Sequence, residues 1–162
     1  MTRAIAVTVG DGRWSALPGA RTACRRTAAA ALTLAQDCPP RIELSVLLTD
    51  DATVRGLNRR WRSIDAPTNV LAFPAAPGPA PPAGAPKALG DVTLAYETVA
   101  REAEAQGKSL DAHLAHLVIH GVLHLLGHDH DRAAEARAME SLEARAMGSL
   151  GYGDPYRRLA AP

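Results

Sequence analysis

The sequence predicts a single domain of the α/β (α+β) class, built on a small, twisted, mixed sheet of about four strands that carries helices. Two observations predict this class. Segments with period-two alternation are interleaved along the chain with segments of helical periodicity, as layered domains of α and β structure require. At 162 residues, the chain suits one domain spanning residues 1–162, which would bury roughly 70% of its unfolded surface without disulfides.

The first part of the chain contains two strand patterns separated by a helix pattern. Residues 5–9 alternate as a short strand. Residues 17–36 are rich in alanine and predict a helix that opens near Pro18 and ends before Pro39. Residues 42–48 alternate and then become continuously apolar, which indicates a strand with at least one buried face.

A helix capped by Asp50 or Asp51 follows the second strand pattern. The apolar residues of this helix fall on one side, at Val54, Leu57 and Trp61. Two more strands are predicted at residues 69–73 and 92–95. Between them, residues 74–88 form a Pro/Ala/Gly-rich segment whose composition cannot pack a core, so a surface loop is expected. The remaining helices are predicted at about residues 96–106, 109–126 and 132–147.

Composition excludes several classes of protein. No apolar run reaches the roughly 18 residues of a membrane span, and the N-terminus lacks the apolar region of a signal peptide. Cys24 and Cys38 form no CxxC pair and are expected to be reduced thiols of a cytoplasmic protein, without a disulfide-linked partner. The net charge of +1 does not indicate a nucleic-acid binder, so any RNA contact must use a local patch. The densest positive cluster is Arg59, Arg60 and Arg62, for which composition alone favours a solvated helix end.

The most informative segment is the string His-Gly-Val-Leu-His-Leu-Leu-Gly-His-Asp-His at residues 120–130. His120 and His124 would lie about 40° apart on one helix face, so two imidazoles can bind one cation. Gly127 tolerates the left-handed backbone that ends a helix, and the chain can then return His130 to the same point. Three neutral nitrogens without a fourth protein ligand are typical of an open zinc site that keeps a position for water. The sequence therefore predicts one Zn²⁺ per chain at these three histidines.

Two upstream histidines lie on the same helix face. His113 is about 10 Å along the axis from His120, too far to share its cation. His116 is one turn away and could pair with His120 in place of His124. Because only His120 and His124 flank the turn that returns His130, we interpret His116 as an orienting or substrate-side residue, or as a buried structural one bonded to a backbone carbonyl.

The ligand spacing resembles the zincin pattern His-Glu-x-x-His-x-x-Gly-x-x-His, in which the glutamate is the general base. Gly121 stands at the position of that glutamate, so a peptidase is disfavoured. The full string His-Gly-x-Leu-His-Leu-x-Gly-x-Asp-His is more specific than the zincin pattern. It resembles the signature of the YbeY family, bacterial metal-dependent endoribonucleases of ribosomal RNA maturation.

Further segments resemble the same family in order and spacing, from about residue 42 to residue 156. They are Leu-Asn-Arg-Arg-Trp-Arg at 57–62, Pro-Thr-Asn-Val-Leu-Ala-Phe-Pro at 67–74, Leu-Gly-Asp-Val at 89–92 and Leu-Gly-Tyr-Gly-Asp-Pro-Tyr at 150–156. The departures are mild: Trp61 replaces the usual Tyr, Ala72 replaces Ser, and His128 stands where Tyr is common.

The resemblance implies a single-strand-specific, metal-dependent endoribonuclease that matures the 3′ end of 16S ribosomal RNA and takes part in ribosome quality control. It also implies a metal site at the edge of the sheet, under the central histidine helix. Arg62 occupies the family's arginine position and is the candidate catalytic residue, because charge on the phosphoryl oxygens needs a second cation. A salt bridge to Asp65 or to another carboxylate is its structural alternative. Asp91 and Asp129 are candidates to orient ligand imidazoles, and Asp129 could equally cap the following turn.

The implied partner is ribosomal or other single-stranded RNA, with proteins of the small ribosomal subunit as further candidates. Two other classes of function stay open. One is a zincin-like metallopeptidase or another metal hydrolase. The other is a ribosome-assembly factor whose metal is mainly structural, although structural zinc sites usually have four protein ligands.

Overall fold

The computed structural model describes residues 2–157 of the chain. Its strands are β1 (Thr2–Val9), β2 (Arg41–Thr49), β3 (Val70–Pro74) and β4 (Lys87–Ala95). Its α-helices are α1 (Ala20–Leu34), α2 (Asp51–Arg62), α3 (Tyr96–Ala105), α4 (Leu110–Leu125) and α5 (Ala133–Ser149), and a short 3₁₀ helix covers Gly12–Ala16.

The four strands form one mixed sheet in the order β1-β2-β4-β3. β1, β2 and β4 run parallel, and β3 pairs antiparallel with β4 at one edge. Parallel neighbours need a crossover, and α1 supplies it between β1 and β2. The predicted fold class, a small mixed sheet that carries helices, is confirmed.

The first helix is shorter than the predicted 17–36 because the backbone is interrupted at its start. Gly19 has a left-handed φ of 73°, and residues 17–19 form a turn that connects the 3₁₀ helix Gly12–Ala16 to α1. The 3₁₀ helix buries Trp14, whose indole Nε1 donates to the carbonyl oxygen of Thr49 at 2.9 Å. The crossover from β1 is therefore anchored to the end of β2.

Helix α4 is the central element of the core, and it packs against the sheet, α1, α3 and α5. Its buried side chains include Leu114, Val118, Ile119 and Val122. Gly121 allows the helix to approach the sheet closely, since a Cβ there would lie 2.7 Å from Cγ1 of Val92. This close packing fixes the histidine-bearing end of α4 against β3 and β4.

Helix α2 begins at the first of its two candidate caps, because Asp50 Oδ1 accepts from the Thr53 backbone N at 2.7 Å. Asp51 instead accepts from Thr98 Oγ1 at 2.8 Å, which ties α2 to α3. A second, smaller cluster of buried residues packs under α2 and consists of Val54, Leu71 and Ala95.

The connection between β3 and β4 covers residues 75–86, which is shorter than the predicted 74–88 at both ends. Pro74 pairs with Gly90 in the antiparallel ladder, and at the other end Lys87 and Ala88 pair with Ile42 and Glu43 of β2. Gly90 has a φ of 132°, and a Cβ there would lie 2.1 Å from the carbonyl oxygen of Phe73. Only glycine fits at this bulge.

Two expectations from composition concern membrane-spanning segments and the cysteines. None of the helices within residues 2–157 is long and apolar enough to cross a lipid bilayer. Cys24 and Cys38 are both free thiols. Burial raises the pKa of the Cys24 thiol to about 12, so this side chain behaves as a small apolar core residue.

Candidate metal centre

The end of α4 has the turn that the histidine string predicts. Gly127 adopts a left-handed φ of 93°, and the His128 backbone N donates to the carbonyl oxygen of Leu123 at 3.0 Å. The Gly127 backbone N donates to that of His124 at 3.0 Å. This pair of bonds satisfies the last carbonyls of the helix and reverses the chain. His130 is returned to the face that carries the helical histidines.

The structure brings the imidazoles of His120, His124 and His130 together. One ring nitrogen from each lies within 4.8 Å of the others, and Nε2 of His124 lies 3.1 Å from Nε2 of His120. Ligand nitrogens of a tetrahedral zinc site are about 3.3 Å apart, from Zn–N bonds of about 2.0–2.1 Å. The donor set therefore fits one divalent cation bound by three neutral imidazoles.

The local electrostatics favour the neutral imidazole that a metal requires. Burial lowers the pKa of His124, and the adjacent rings of His120 and His130 lower it further. A neutral His124 is ready to bind a cation without first releasing a proton to solvent.

Glu143 of α5 orients one of the three imidazoles. Its carboxylate is completely buried, and its Oε1 lies 2.6 Å from Nδ1 of His120. A proton on Nδ1 then donates to the carboxylate, and the lone pair of Nε2 is left facing His124. Glu143 thus selects the tautomer of His120 that can bind a metal.

The same carboxylate serves a second histidine and a tyrosine. Nε2 of His116 lies 2.8 Å from Glu143 Oε2, and the Tyr156 hydroxyl donates to the same oxygen. Burial by itself would raise the pKa of Glu143, but the hydrogen bonds from His116, His120 and Tyr156 outweigh it and lower the pKa to about 2. Glu143 is therefore an ionised, fully partnered carboxylate inside the core.

Sequence reasoning did not identify Glu143, although a signal for it was present. The buried residues of α5 are Met139, Glu143, Ala146 and Met147. Glu143 lies four residues after one methionine and four before the other, so it falls on the apolar stripe of the helix. A carboxylate at such a position needs a buried partner, and the nearby histidine helix offers one.

The other three histidines lie outside the ligand set, and two of them have carboxylate partners. His113 is buried, and its Nε2 lies 3.0 Å from Glu102 Oε1. His116 faces a carboxylate, which makes the predicted backbone-carbonyl partner wrong but retains its orienting or structural role. His128 lines the same cleft but is not one of the three residues whose nitrogens converge.

A cleft of about 730 Å³ opens over the three histidines and is walled on the other side by β3 and the end of α2. Arg62 lines it, donates from Nη2 to the carbonyl oxygen of Ala72 at 2.8 Å, and lies over the Phe73 ring at 5.3 Å. Asp65 pairs with Arg55 at 2.8 Å. The alternative of a salt bridge from Arg62 to Asp65 is therefore wrong, and the Arg62 guanidinium stays at the cleft.

The structure places the two candidate aspartates, Asp91 and Asp129, in different surroundings. Asp91 accepts a hydrogen bond from Ser45 Oγ, and the next residue, Val92, faces α4. Alternation along β4 then places Asp91 on the opposite face of the sheet, away from the histidines. Asp129 Oδ1 accepts from the His130 backbone N at 2.7 Å, as a turn cap does, and also lies 4.0 Å from Nδ1 of the His130 imidazole.

The position that holds a glutamate in zincins has no room for one here. A Cβ at Gly121 would lie 2.7 Å from Cγ1 and 3.2 Å from Cγ2 of Val92. The missing general base is thus a consequence of how closely α4 packs on the sheet.

Comparison with known proteins identifies the family. The Endoribonuclease YbeY family model matches residues 18–151. Proteins named Endoribonuclease YbeY from Chelativorans sp. and Paramagnetospirillum magneticum are 53% and 52% identical, over 91% and 96% of this chain and 90% and 97% of their own. The solution structure of TM1509 from Thermotoga maritima shares the fold, with a TM-score of 0.56 and 22% identity over 95% of this chain and 99% of that one. The chain therefore belongs to the Endoribonuclease YbeY family.

Proposed function

We propose that this chain is a single-strand-specific, metal-dependent endoribonuclease of ribosomal RNA processing. The observation that carries the proposal is the convergence of three imidazoles and the Arg62 guanidinium on one cleft. Relatives about half identical in sequence, named Endoribonuclease YbeY, support the same activity.

The proposed cofactor is one Zn²⁺ per chain, held by His120, His124 and His130. When bound by these three residues, a zinc ion would supply Lewis-acid chemistry for the hydrolysis of a phosphodiester. Because all three ligands are neutral, the positive charge of the ion is not cancelled by the protein, and the site attracts an anionic phosphodiester. Glu143 holds the ring of His120 in the required tautomer and orientation.

Arg62 is proposed to bind the phosphoryl oxygens opposite the metal. Within residues 2–157 its guanidinium forms no ion pair, and one nitrogen is used by the Ala72 carbonyl. Its other N–H groups remain available for a bidentate contact with phosphate. Such a contact strengthens as negative charge grows on the phosphoryl group in the transition state.

The structure weighs against the two alternative classes. A zincin-like peptidase would need a glutamate where Gly121 packs against Val92. A structural metal would need a fourth protein ligand, and the cluster found within residues 2–157 contains three histidines. We further propose that the RNA cleaved is the 3′ region of 16S ribosomal RNA, in the cytoplasm, with small-subunit proteins as partners in maturation and quality control.

The central experiment compares substrates under one set of conditions. Zinc-loaded and chelator-treated protein would be incubated with single-stranded RNA, duplex RNA and a peptide pool. We expect cleavage of single-stranded RNA only, and only with metal present. Cleavage of peptides without RNA cleavage, or RNA cleavage that chelation leaves unchanged, would overturn the proposal.

A charge-reversal pair tests the role of Arg62. Arg62→Glu should keep zinc and thermal stability but lower kcat on single-stranded RNA by about a hundredfold or more. Arg59→Glu makes the same charge change on the same helix, where the side chain is exposed and does not line the cleft. Arg59→Glu should mainly raise KM and change the salt dependence of KM. Equal kcat in the Arg62→Glu variant and the parent would remove Arg62 from the mechanism.

A further inference from the structure

An exposed tryptophan lies beside the metal cleft. Trp61 is 63% exposed and Ile64 is 53% exposed, and they are two of the three large apolar side chains exposed within residues 2–157. The third is Tyr156, whose hydroxyl bonds to Glu143. Trp61 and Ile64 are thus large apolar groups left in water at one end of α2.

The exposure of Trp61 contrasts with its position on the helix. Trp61 follows Val54 by seven residues and Leu57 by four, so it continues the stripe that packs α2 on the sheet. Val54 is completely buried, and Leu57 packs against the same cluster. The apolar cluster that covers Val54 and Leu57 does not include Trp61, and the adjacent Arg62 lies over Phe73 of the edge strand β3.

The surroundings of the indole are basic rather than apolar. The guanidinium of Arg60 lies 4.9 Å from the centre of the Trp61 ring. Arg59 and Arg62 are the other arginines of this last turn. An arginine against one face of an indole makes it a flat, positively charged platform whose second face can accept another ring.

The platform is flanked in the chain by residues that line the cleft. Asn58, Arg62 and Ile64 all line the cleft, and they lie before and after Trp61 in the chain. A polyanion whose phosphate is at Arg62 would therefore carry its neighbouring groups past Trp61. Single-stranded RNA has unstacked bases at such positions, and base-aromatic stacking is the common way proteins hold them.

We propose that Trp61, backed by Arg60, is a stacking site for an unpaired nucleobase next to the scissile phosphate. This inference rests on the proposed RNA-cleaving function and explains its preference for single strands, because bases in a duplex are already stacked on each other. The site is tolerant of base identity, since every base has a π face.

The fluorescence of the chain offers a direct measurement. The sequence has two tryptophans, and the other one, Trp14, is 1% exposed. Zinc-loaded protein would be mixed in a stopped-flow instrument with a short oligoadenylate, so that binding is read before cleavage. Stacking predicts rapid quenching of the Trp61 emission. An abasic phosphodiester chain of equal length carries the same charge and should leave the emission unchanged.

Variants at the same position convert the signal into affinity. Trp61→Ala should weaken oligoadenylate binding by about tenfold, as expected for the loss of one stacked base, and leave binding of the abasic chain within about twofold. Trp61→Phe should restore most of the affinity. Because the side chain is exposed, all variants should keep the zinc content and melting temperature of the parent. Arg59→Ala is the contrasting control, since it should weaken both oligomers equally and reduce their salt dependence.

The outcomes separate this site from the proposed function. If the parent cleaves single-stranded RNA but Trp61 is not quenched and Trp61→Ala binds oligoadenylate normally, the stacking site is wrong and the activity stands. If the parent neither binds nor cleaves single-stranded RNA, the function fails and the stacking site with it. Equal loss of affinity for oligoadenylate and the abasic chain in Trp61→Ala would also overturn stacking, because the loss would then not depend on bases.

Discussion

The two halves of α4 present the same residue on the same face and use it differently. In the first half, Nε2 of His113 faces Glu102 at 3.0 Å and Nε2 of His116 faces Glu143 at 2.8 Å. In the second half, Nε2 of His120 and Nε2 of His124 face each other at 3.1 Å, with His130 alongside. Position on the helical wheel does not separate the two pairs. The partner of Nε2 does, since a nitrogen committed to a carboxylate is not free to bind a metal.

Glu143 joins the two halves. One oxygen meets His116 of the first half and the other meets His120 of the second. The carboxylate contacts Nε2 of His116 but Nδ1 of His120. This difference in ring nitrogen leaves Nε2 of His120, but not Nε2 of His116, available to a metal. Substitutions of the candidate metal ligands are expected to have the largest effects.

Removal of a second-half histidine should have the largest effect. His124→Ala should abolish zinc binding, because two remaining imidazoles cannot hold the ion tightly, and His130→Ala should do the same. Elemental analysis of the purified variants measures this. His128→Gln is the matched control, in the same cleft but outside the convergent set, and should retain one zinc per chain. Full metal content in His124→Ala would refute the ligand assignment.

Loss of the shared carboxylate should have an intermediate effect. The Glu143→Gln side chain is neutral and has one acceptor oxygen, so it cannot accept hydrogen bonds from both His116 and His120 as the carboxylate does. Zinc affinity should therefore fall by about 10–100-fold. A competition titration against a chelator would measure the affinity. Glu140→Gln removes an exposed carboxylate of the same helix and should leave zinc affinity unchanged. Equal affinity in both variants would show that Glu143 does not position His120.

The smallest expected effect belongs to the first half and appears as a dependence of stability on pH. Burial lowers the pKa of His113 below its usual value of 6.5, and the Glu102 carboxylate offsets this only in part. As the pH falls through 6.5, the unfolded chain binds a proton that the folded chain resists, so the free energy of unfolding decreases.

The test compares the parent with His113→Gln in denaturant titrations, with chelator present throughout. Between pH 7 and 5 the parent should lose more stability than the variant, which has no imidazole to protonate at this position. Parallel pH profiles would contradict the assignment of His113 as a buried neutral histidine.

Local patterns were sufficient for several features of this protein. The spacing of His120 and His124, together with Gly127, predicted three converging imidazoles because an i, i+4 pair and a left-handed turn are local geometry. The strands and helices followed for the same reason, since period-two and helical alternation are read within a few residues. The boundary at Gly19 differed, because a left-handed glycine there delays the start of the predicted helix to Ala20.

Tertiary structure decided what each polar group meets. The sequence could not show that Glu143 of α5 lies between His116 and His120, that Asp91 faces Ser45, or that Asp65 pairs with Arg55. It placed Trp61 on the apolar stripe of α2, and only the tertiary structure showed that this side chain is exposed. Periodicity defines which face of an element a residue occupies. The partner across that face depends on how distant segments pack, and hydrogen bonds and burial are set there.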